Sequence, residues 1–377
     1  MRVLINALSA RQGGGQTYLI NLLAQLPKCA DIDVFLLAPK SFYIRGAPIA
    51  AQFLPASRLV SNPFVRAAWE RVMLPRLAST IKADVLFCPG GITGAKPLAP
   101  CRTATMFRNM IPFDMAQRKR YPLGYERTRN WLLRRVMLQS MLSADLLIFI
   151  SQHAKEVVER AAGRPLTRSV VIPHGVADAF RARPEGPLPR PAWLPDGPYL
   201  LYVSTLDFYK AQIEVIRGYA LLRHRRKSPE KLILAGPENP VYGKLVREEI
   251  ARLGLAEQVL LLGKLPYYDL PALYQNAKAI IFASESENCP NILLESLAAA
   301  RPIVCSNRPP MPEFGGDAVI YFDPASPEDL VEKLMAIIDN ASERARLGSR
   351  AAERARRYDW TIAGQATWEA LRALAAS

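Results

Sequence analysis

Short apolar runs alternate with helix-patterned stretches in both halves of this 377-residue chain, and a proline-rich segment interrupts the pattern once. In the first half the runs are VLIN (3–6), VFLLA (34–38), DVLFC (84–88), TATMF (103–107), LLIFIS (146–151) and SVVIP (169–173). Between them lie helical patterns at 17–26, within 125–142 and at 153–162. Residues 181–198 hold six prolines, and proline continues neither a helix nor a central strand. The alternation then restarts with YLLYVS (199–204), KLILAG (231–236), VLLLG (259–263), AIIFAS (279–284), PIVCSN (302–307) and VIYFD (319–323). Helical patterns fall at 211–224, 245–254, 269–277, 291–300 and from about 327 to the end. Strands apolar on both faces, spaced by helices, predict βαβ units and parallel sheets. The expected class is α/β, with two Rossmann-like αβα domains facing across a cleft. The boundaries are 1–180, a linker at 181–198, 199–358, and a C-terminal helix at 359–377 whose packing back on the first domain is left open. In such sheets ligands bind beyond the carboxyl ends of the strands.

Composition removes several classes. Half of the residues are hydrophobic and 22% charged, which supports real cores and excludes a disordered chain. No uninterrupted apolar run is long enough to span a bilayer. The opening MRVLINALSARQGGGQ lacks the longer apolar region and cleavage site of a secretory signal, so a cytosolic location is expected. Five cysteines with no C-x-x-C pair fit reduced thiols. His153, His174 and His224 stand far apart and near no cysteine pair, so no metal site is expected. The net charge of +15 is uneven. Residues 1–190 carry 27 Lys+Arg against 11 Asp+Glu, whereas residues 191–377 carry 22 against 23. An excess confined to one half suits nucleic acid, an anionic membrane or a phosphate-bearing substrate.

The stretch IIFASESENCPNILLESLAAARPIVCSN (280–307) carries the most chemistry. A strand ends at Ser284, and a polar loop leads into a helix starting near Asn291. Free amides at a helix start form a phosphate-binding geometry. Glu287 lies in the loop, and Glu295 sits about one turn into the helix, placed to accept from two vicinal hydroxyls. A capping segment with solvated glutamates accounts for the same spacing. Lys210, after a strand and just before a helix, suits a diphosphate; an exposed helix-start lysine is the plainer alternative. Gly13, Gly14 and Gly15 precede a helix and allow close backbone approach to a diphosphate or an acceptor. They lack the third glycine of a dinucleotide fingerprint. Asp31 and Asp33 read as surface residues, and His174 as a turn residue. Residues Arg118–Arg135 hold seven Lys/Arg interleaved with Tyr121, Tyr125, Trp131, Leu132 and Leu133. They form either a surface for an anionic bilayer or a solvated helix face.

These motifs resemble the retaining family-4 glycosyltransferases of the GT-B fold (glycosyl transferases group 1). The E-x7-E region of that family is similar to Ser284, Glu287, Asn288–Cys289–Pro290–Asn291, Leu294–Glu295–Ser296 and Arg301–Pro302–Ile303–Val304. Asn-Cys-Pro-Asn replaces the usual glycine-rich tetrapeptide. YLLYVSTLDFYKAQ (199–212) resembles the segment that carries the diphosphate lysine, here Lys210, with Thr205 in place of its partner arginine. VLLLGKLP (259–266), PPMPEFGGDAVIYFDP (309–324) and VIPHGV (171–176) resemble further family stretches. In TMFRNMIPFD (105–114), Arg108 and Asn109 stand where a His-Asp pair is common.

The resemblance implies a metal-independent, retaining hexosyltransferase that needs no cofactor. Its catalytic candidates are Lys210, Glu287 and Arg108. Its donor-site candidates are Glu295, Asn288, Cys289, Pro290, Asn291, Ile292, Thr205, Gly263, Lys264 and Leu265, with Gly13–Gly15 as the diphosphate or acceptor loop. The implied partners are a GDP- or UDP-hexose donor and a glycan or lipid-linked acceptor in surface polysaccharide biosynthesis. Peripheral membrane contact through Arg118–Arg135 is the further expectation, and no nucleic acid is expected. A GT-B epimerase, a phosphorylase and a non-enzymic basic nucleic-acid-binding protein stand as alternatives.

Overall fold

The computed structural model describes the chain apart from residues 11–13, 27–30, 40–41, 43–50, 57–59, 61, 94–98, 121–123, 184 and 228; of residues 63 and 64 it describes the backbone alone. The chain forms two units, Met1–Gly175 with Trp360–Ser377, and Val176–Asp359. The proline-rich stretch 181–198 lies within the second unit, where Leu188 donates its amide to Gln275 Oε1 (3.0 Å) and Leu194 is buried.

The first unit is built on a seven-stranded sheet of β1 (Arg2–Asn6), β2 (Asp33–Ala38), β3 (Gln52–Pro55), β4 (Val85–Cys88), β5 (Arg102–Phe107), β6 (Leu146–Phe149) and β7 (Ser169–Val171). Their order is β3-β2-β1-β4-β5-β6-β7, and every pairing is parallel. Val3, Leu4 and Ile5 of the interior strand β1 are fully buried, as expected where helices cover both faces. Local signals set the helix ends. The helix Gln152–Ala162 begins where Ser151 Oγ accepts the Ala154 amide (3.1 Å) and ends at Gly163, in the left-handed region with φ 67°. The last helix, Trp360–Ala375, packs onto the helix Gly14–Ala24. Its Trp368 Nε1 donates to the Leu22 carbonyl (3.2 Å), and Arg372 holds Asp31 at 2.7 and 3.1 Å.

The second unit has a six-stranded sheet of β8 (Tyr199–Val203), β9 (Lys231–Ala235), β10 (Val259–Gly263), β11 (Ala279–Phe282), β12 (Ile303–Ser306) and β13 (Ile320–Phe322). Its order is β10-β9-β8-β11-β12-β13, again parallel throughout. Both sheets are doubly wound, so the α/β class read from the sequence holds. In each the strand order reverses beside its first strand, between β1 and β4 and between β8 and β11. That reversal opens a crevice at the carboxyl ends of the strands.

Some elements differ from expectation. The helix expected over 245–254 begins earlier, at Pro240, because the Asn239 side chain accepts the amides of Val241 (3.0 Å) and Tyr242 (3.4 Å) and proline occupies the first helical position. The strand Gln52–Pro55 and the helix Pro63–Thr80 were not anticipated. The strand is four residues long at the sheet edge, and the helix carries Pro75 in its interior.

Candidate functional site

The loops that follow β8 and β11 flank the reversal point of the second sheet, and hydrogen bonds lace them together. The Glu285 amide donates to the Tyr209 carbonyl (2.8 Å), and Ser284 Oγ reaches the same oxygen (3.5 Å). In the first loop Tyr202 Oη donates to the Lys210 carbonyl (2.7 Å), and Asp207 accepts the Phe208 amide (2.8 Å). Ala211 then adopts φ 53°, a left-handed conformation uncommon for a residue with a Cβ, and the helix Gln212–Arg225 begins. Gln212 is wholly buried; its Nε2 donates to Ser204 Oγ (2.7 Å) and to the Thr205 carbonyl (2.9 Å). A Cβ on Gly236 would overlap the Ser204 carbonyl oxygen, so glycine is required where β9 ends against this loop.

These constraints deliver the Lys210 ammonium onto Glu287 Oε1. Lys210 is 5% exposed and lies 4.8 Å from the Tyr209 ring centroid and 5.8 Å from that of Phe282. Burial pulls its pKa down, but the Glu287 carboxylate outweighs that effect and holds it above the usual lysine value. The structure therefore brings together two of the three catalytic candidates. It rules out the exposed helix-start reading of Lys210, because the side chain is enclosed and paired.

Glu295 has a different environment. Its carboxylate accepts from Tyr267 Oη at Oε1 (3.0 Å) and from Tyr274 Oη at Oε2 (3.3 Å). Burial raises its pKa to about 7, against the lowering effect of the two phenols. The carboxylate is thus built to receive two hydroxyl donors and is not a solvated glutamate. Nothing local in the sequence pointed to Tyr267 or Tyr274 as its partners.

The helix Asn291–Ala298 starts without a capping side chain. Its Asn291 amide is occupied by the Cys289 carbonyl (2.9 Å), and the Leu294 amide takes the Pro290 carbonyl (3.1 Å). Among the described residues, the amides of Ile292 and Leu293 have no such acceptor. The open donors therefore lie one step further along the chain than the Asn288–Asn291 run the sequence suggested. Asn288, Cys289 and Pro290 are buried, and Asn291 and Ile292 are half-buried.

The remaining donor-site candidates divide. Gly263 ends β10 at φ 63°, and its carbonyl accepts the Gly236 amide (2.8 Å). Lys264 is exposed and Leu265 half-buried. Thr205 is half-buried and supplies no cation. Several arginines of this unit are engaged elsewhere: Arg217 with Glu249, Arg247 with Glu238, Arg308 with Asp323, and Arg354 with the carbonyls of Glu313 and Phe314.

In the first unit, Gly14 opens its helix exposed and Gly15 is half-buried; Gly13 lies outside the described residues. The Arg108 guanidinium reaches the glycine loop, with Nη1 3.5 Å from where a Gly15 Cβ would stand, and lies 5.4 Å from the Tyr18 ring centroid. His174 is buried between Tyr18 and Trp360, both at 5.4 Å, which is a packing role. Asp31 and Asp33 pair with Arg372 and Arg2. Among the described residues there is no group of three or more His, Cys, Asp and Glu placed to hold a metal ion.

The family described as Glycosyltransferase Family 4 matches residues 12–180, and that described as Glycosyl transferases group 1 matches residues 189–354. O-antigen chain mannosyltransferase B of Escherichia coli is 26% identical over 271 residues, covering 69% of this chain and 67% of the relative. A sulfoquinovosyl transferase of Arabidopsis thaliana is 24% identical over 174 residues, covering 45% of this chain and 32% of the relative. A D-inositol 3-phosphate glycosyltransferase of Thermobispora bispora is 26% identical, covering 55% and 51%. The match thus spans about two thirds of the first relative, about a third of the second and about half of the third. Among solved structures, Anabaena HepE in complex with UDP-glucose is similar at TM-score 0.73 and 18% identity, covering 99% of this chain and all of that one. Sucrose-phosphate synthase from Thermosynechococcus elongatus is similar at TM-score 0.75 and 15% identity over the full length of both. At such identities the likeness is one of fold.

Proposed function

The chain belongs to the family-4 glycosyltransferases of the GT-B fold, and on that premise we propose that it moves a hexose from a nucleotide-diphosphate sugar to a glycan or lipid-linked acceptor. The reaction retains the anomeric configuration and needs no essential metal. The second unit receives the donor and the first the acceptor. The observation that carries this reading is the pair of buried Lys210 with half-buried Glu287 at the reversal point of the second sheet, which joins the loop after β8 to the one that leads into an uncapped helix start.

In the reaction the bond between the anomeric carbon and the diphosphate oxygen breaks, and its electron pair leaves with the diphosphate. The Lys210 ammonium and the Ile292 and Leu293 amides stabilise the charge that develops there, as preorganised donors do at an oxyanion. The acceptor oxygen bonds to the anomeric carbon on the same face, and its proton passes to the departing phosphate oxygen. Glu287, paired with Lys210, accepts from hydroxyls of the transferred sugar. Glu295 exchanges its phenol partners for the ribose hydroxyls. Arg108, beside the glycine loop, meets anionic groups of the substrates.

The relatives guide the choice of donor. One is named as a mannosyltransferase of the O-antigen chain, and one similar structure holds UDP-glucose, so a GDP- or UDP-hexose and surface polysaccharide assembly are the first candidates. The test is thermal melting of the full chain with GDP, UDP, ADP or dTDP, because a ligand that binds the folded state raises its apparent stability. One diphosphate is expected to raise Tm in the wild type and to lose that effect in Lys210→Ala. No shift with any of the four overturns the donor site. Product anomeric configuration read by NMR, and turnover in EDTA, test retention and metal independence.

A further inference from the structure

The second sheet has two ends, and the end opposite the candidate donor site also carries unbalanced charge. Three neighbouring parallel strands, β8, β11 and β12, begin beside one another, directly after Pro198, Lys278 and Pro302. The residues that lead into them, with Ala341, Arg344 and Ala345 at the start of the helix Ala341–Ala355, line a cavity of about 440 Å3. That volume lies in the range of small-molecule sites. The wall holds three cations, Lys278, Arg301 and Arg344, and no acid. Lys278 is committed: its ammonium pairs with Glu230, a wholly buried carboxylate that Arg226 also approaches at 3.6 Å. Among the described residues Arg301 and Arg344 have no acidic partner. Arg301 donates through Nη2 to the Gln275 carbonyl, and Arg344 through Nη1 to the carbonyls of Ile337 (3.1 Å) and Ile338. These bonds close the ends of the helices Leu270–Gln275 and Pro327–Ile338 and engage one nitrogen of each guanidinium. Both arginines are half-buried, and burial pulls the pKa of Arg301 down with no carboxylate to restore it. The backbone between them is tight. Ala300 adopts φ 54°, and a Cβ on Gly348 would stand 2.5 Å from the Ala300 carbonyl oxygen. The turn that carries Arg301 is thus packed directly on the helix that carries Arg344, so their spacing is set before any ligand arrives.

We propose that this cavity is a second anion site, separate from the donor site, and that it takes a small phosphate monoester. The guanidinium forks of Arg301 and Arg344 hold the phosphate oxygens. A carboxylate offers two oxygens in one plane, which a single guanidinium satisfies, whereas a phosphate presents three and serves two guanidiniums at once. The walls supplied by Ala277, Ala300 and Pro302 cover the carbon part of the ester, for which a bare phosphate ion has no counterpart. The anion also supplies the negative charge that the wall lacks. An ester held there ties the turn after the helix Asn291–Ala298 to the helix Ala341–Ala355. The inference goes beyond glycosyl transfer and does not depend on that reading.

The test is titration calorimetry of the full chain with glycerol 3-phosphate, inorganic phosphate and acetate at constant ionic strength. The ester is expected to bind more tightly than inorganic phosphate, and acetate not at all. Arg301→Gln and Arg344→Gln are each expected to weaken the ester at least about tenfold, the effect of one hydrogen bond to a charged group. Because both arginines also close helix ends, a third variant keeps them in place. Ala345→Glu sets a carboxylate on the wall from an exposed helix position, and is expected to abolish ester binding without lowering Tm. Binding of the ester that is equal in the wild type and all three variants overturns the proposal, because it places the anion elsewhere, at the donor site included. So does acetate binding as tightly as the ester, inorganic phosphate binding more tightly than the ester, or no binding of either phosphate.

Discussion

The two sheets are wound in the same order, yet they place charge in opposite ways. At the reversal point of the second sheet a cation and an anion are enclosed together, Lys210 against Glu287, in a half of the chain that is nearly neutral. At the corresponding end of the first sheet, glycines open the helix and the half-buried Arg108 lies beside them, in the half that holds the whole positive excess. A committed pair fixes geometry before substrate arrives, because neither charge can leave without stranding the other. The first unit instead sets its cation against an aromatic ring, with the Arg108 guanidinium 5.4 Å from the Tyr18 centroid beside the start of a glycine-opened helix. One topology thus supports an ion pair at its reversal point in one unit and a cation against an aromatic ring in the other.

Breaking the pair gives the largest effect expected. Lys210→Ala strands the Glu287 carboxylate and is expected to cost about 3–5 kcal/mol in chemical denaturation, with turnover at least about a hundredfold lower. The double replacement Lys210→Met with Glu287→Leu is expected to recover most of the stability and none of the turnover, which separates the structural from the chemical role. Next comes Glu295. Its folded pKa of about 7 lies above the ordinary 4.5, so the fold favours the protonated carboxyl. Its contribution to stability is fully present below about 4.5 and is lost as pH rises through about 7, a change of about 3 kcal/mol at 1.36 kcal/mol per unit. Denaturation of the wild type and of Glu295→Gln across that window is expected to show the slope in the former alone. Donor KM is expected to fall as pH rises through the same region, because the carboxylate is the form that accepts ribose hydroxyls. Gly236→Ala, which drives a Cβ into the Ser204 carbonyl, is expected to lower stability by about 1–3 kcal/mol and to shift the loop carrying Lys210. The smallest effect on stability belongs to the first unit: Arg108→Ala is expected to cost about 0.5–1 kcal/mol, the range of a cation–π contact, while turnover falls severalfold. Equal losses of stability in Lys210→Ala and Arg108→Ala would dissolve the contrast.

The two sheets were legible because strands covered on both faces are written as unbroken apolar runs; VLLLG at 259–263 is a strand to the residue. The edge strand Gln52–Pro55 escaped notice because it is four residues long and ends in proline. The helix Pro63–Thr80 escaped because arginine, alanine and an internal proline blur its periodicity. At the site, Lys210 and Glu287 were each singled out, but their partnership spans 77 residues and leaves no local trace. The same holds for the two tyrosines on Glu295, which arrive from a different strand–helix connection. Spacing identifies which groups are chemical, and tertiary packing decides which of them meet.

The return of the helix Trp360–Ala375 to the first unit bears on the order of assembly during synthesis. The indole of Trp368 completes the packing over Leu22, and Arg372 clasps Asp31, yet the ribosome makes these residues after the entire second unit. The first unit therefore waits, one helix short, while its neighbour has every residue it needs, and a truncation that removes Trp360–Ser377 would injure the unit whose sheet is already made.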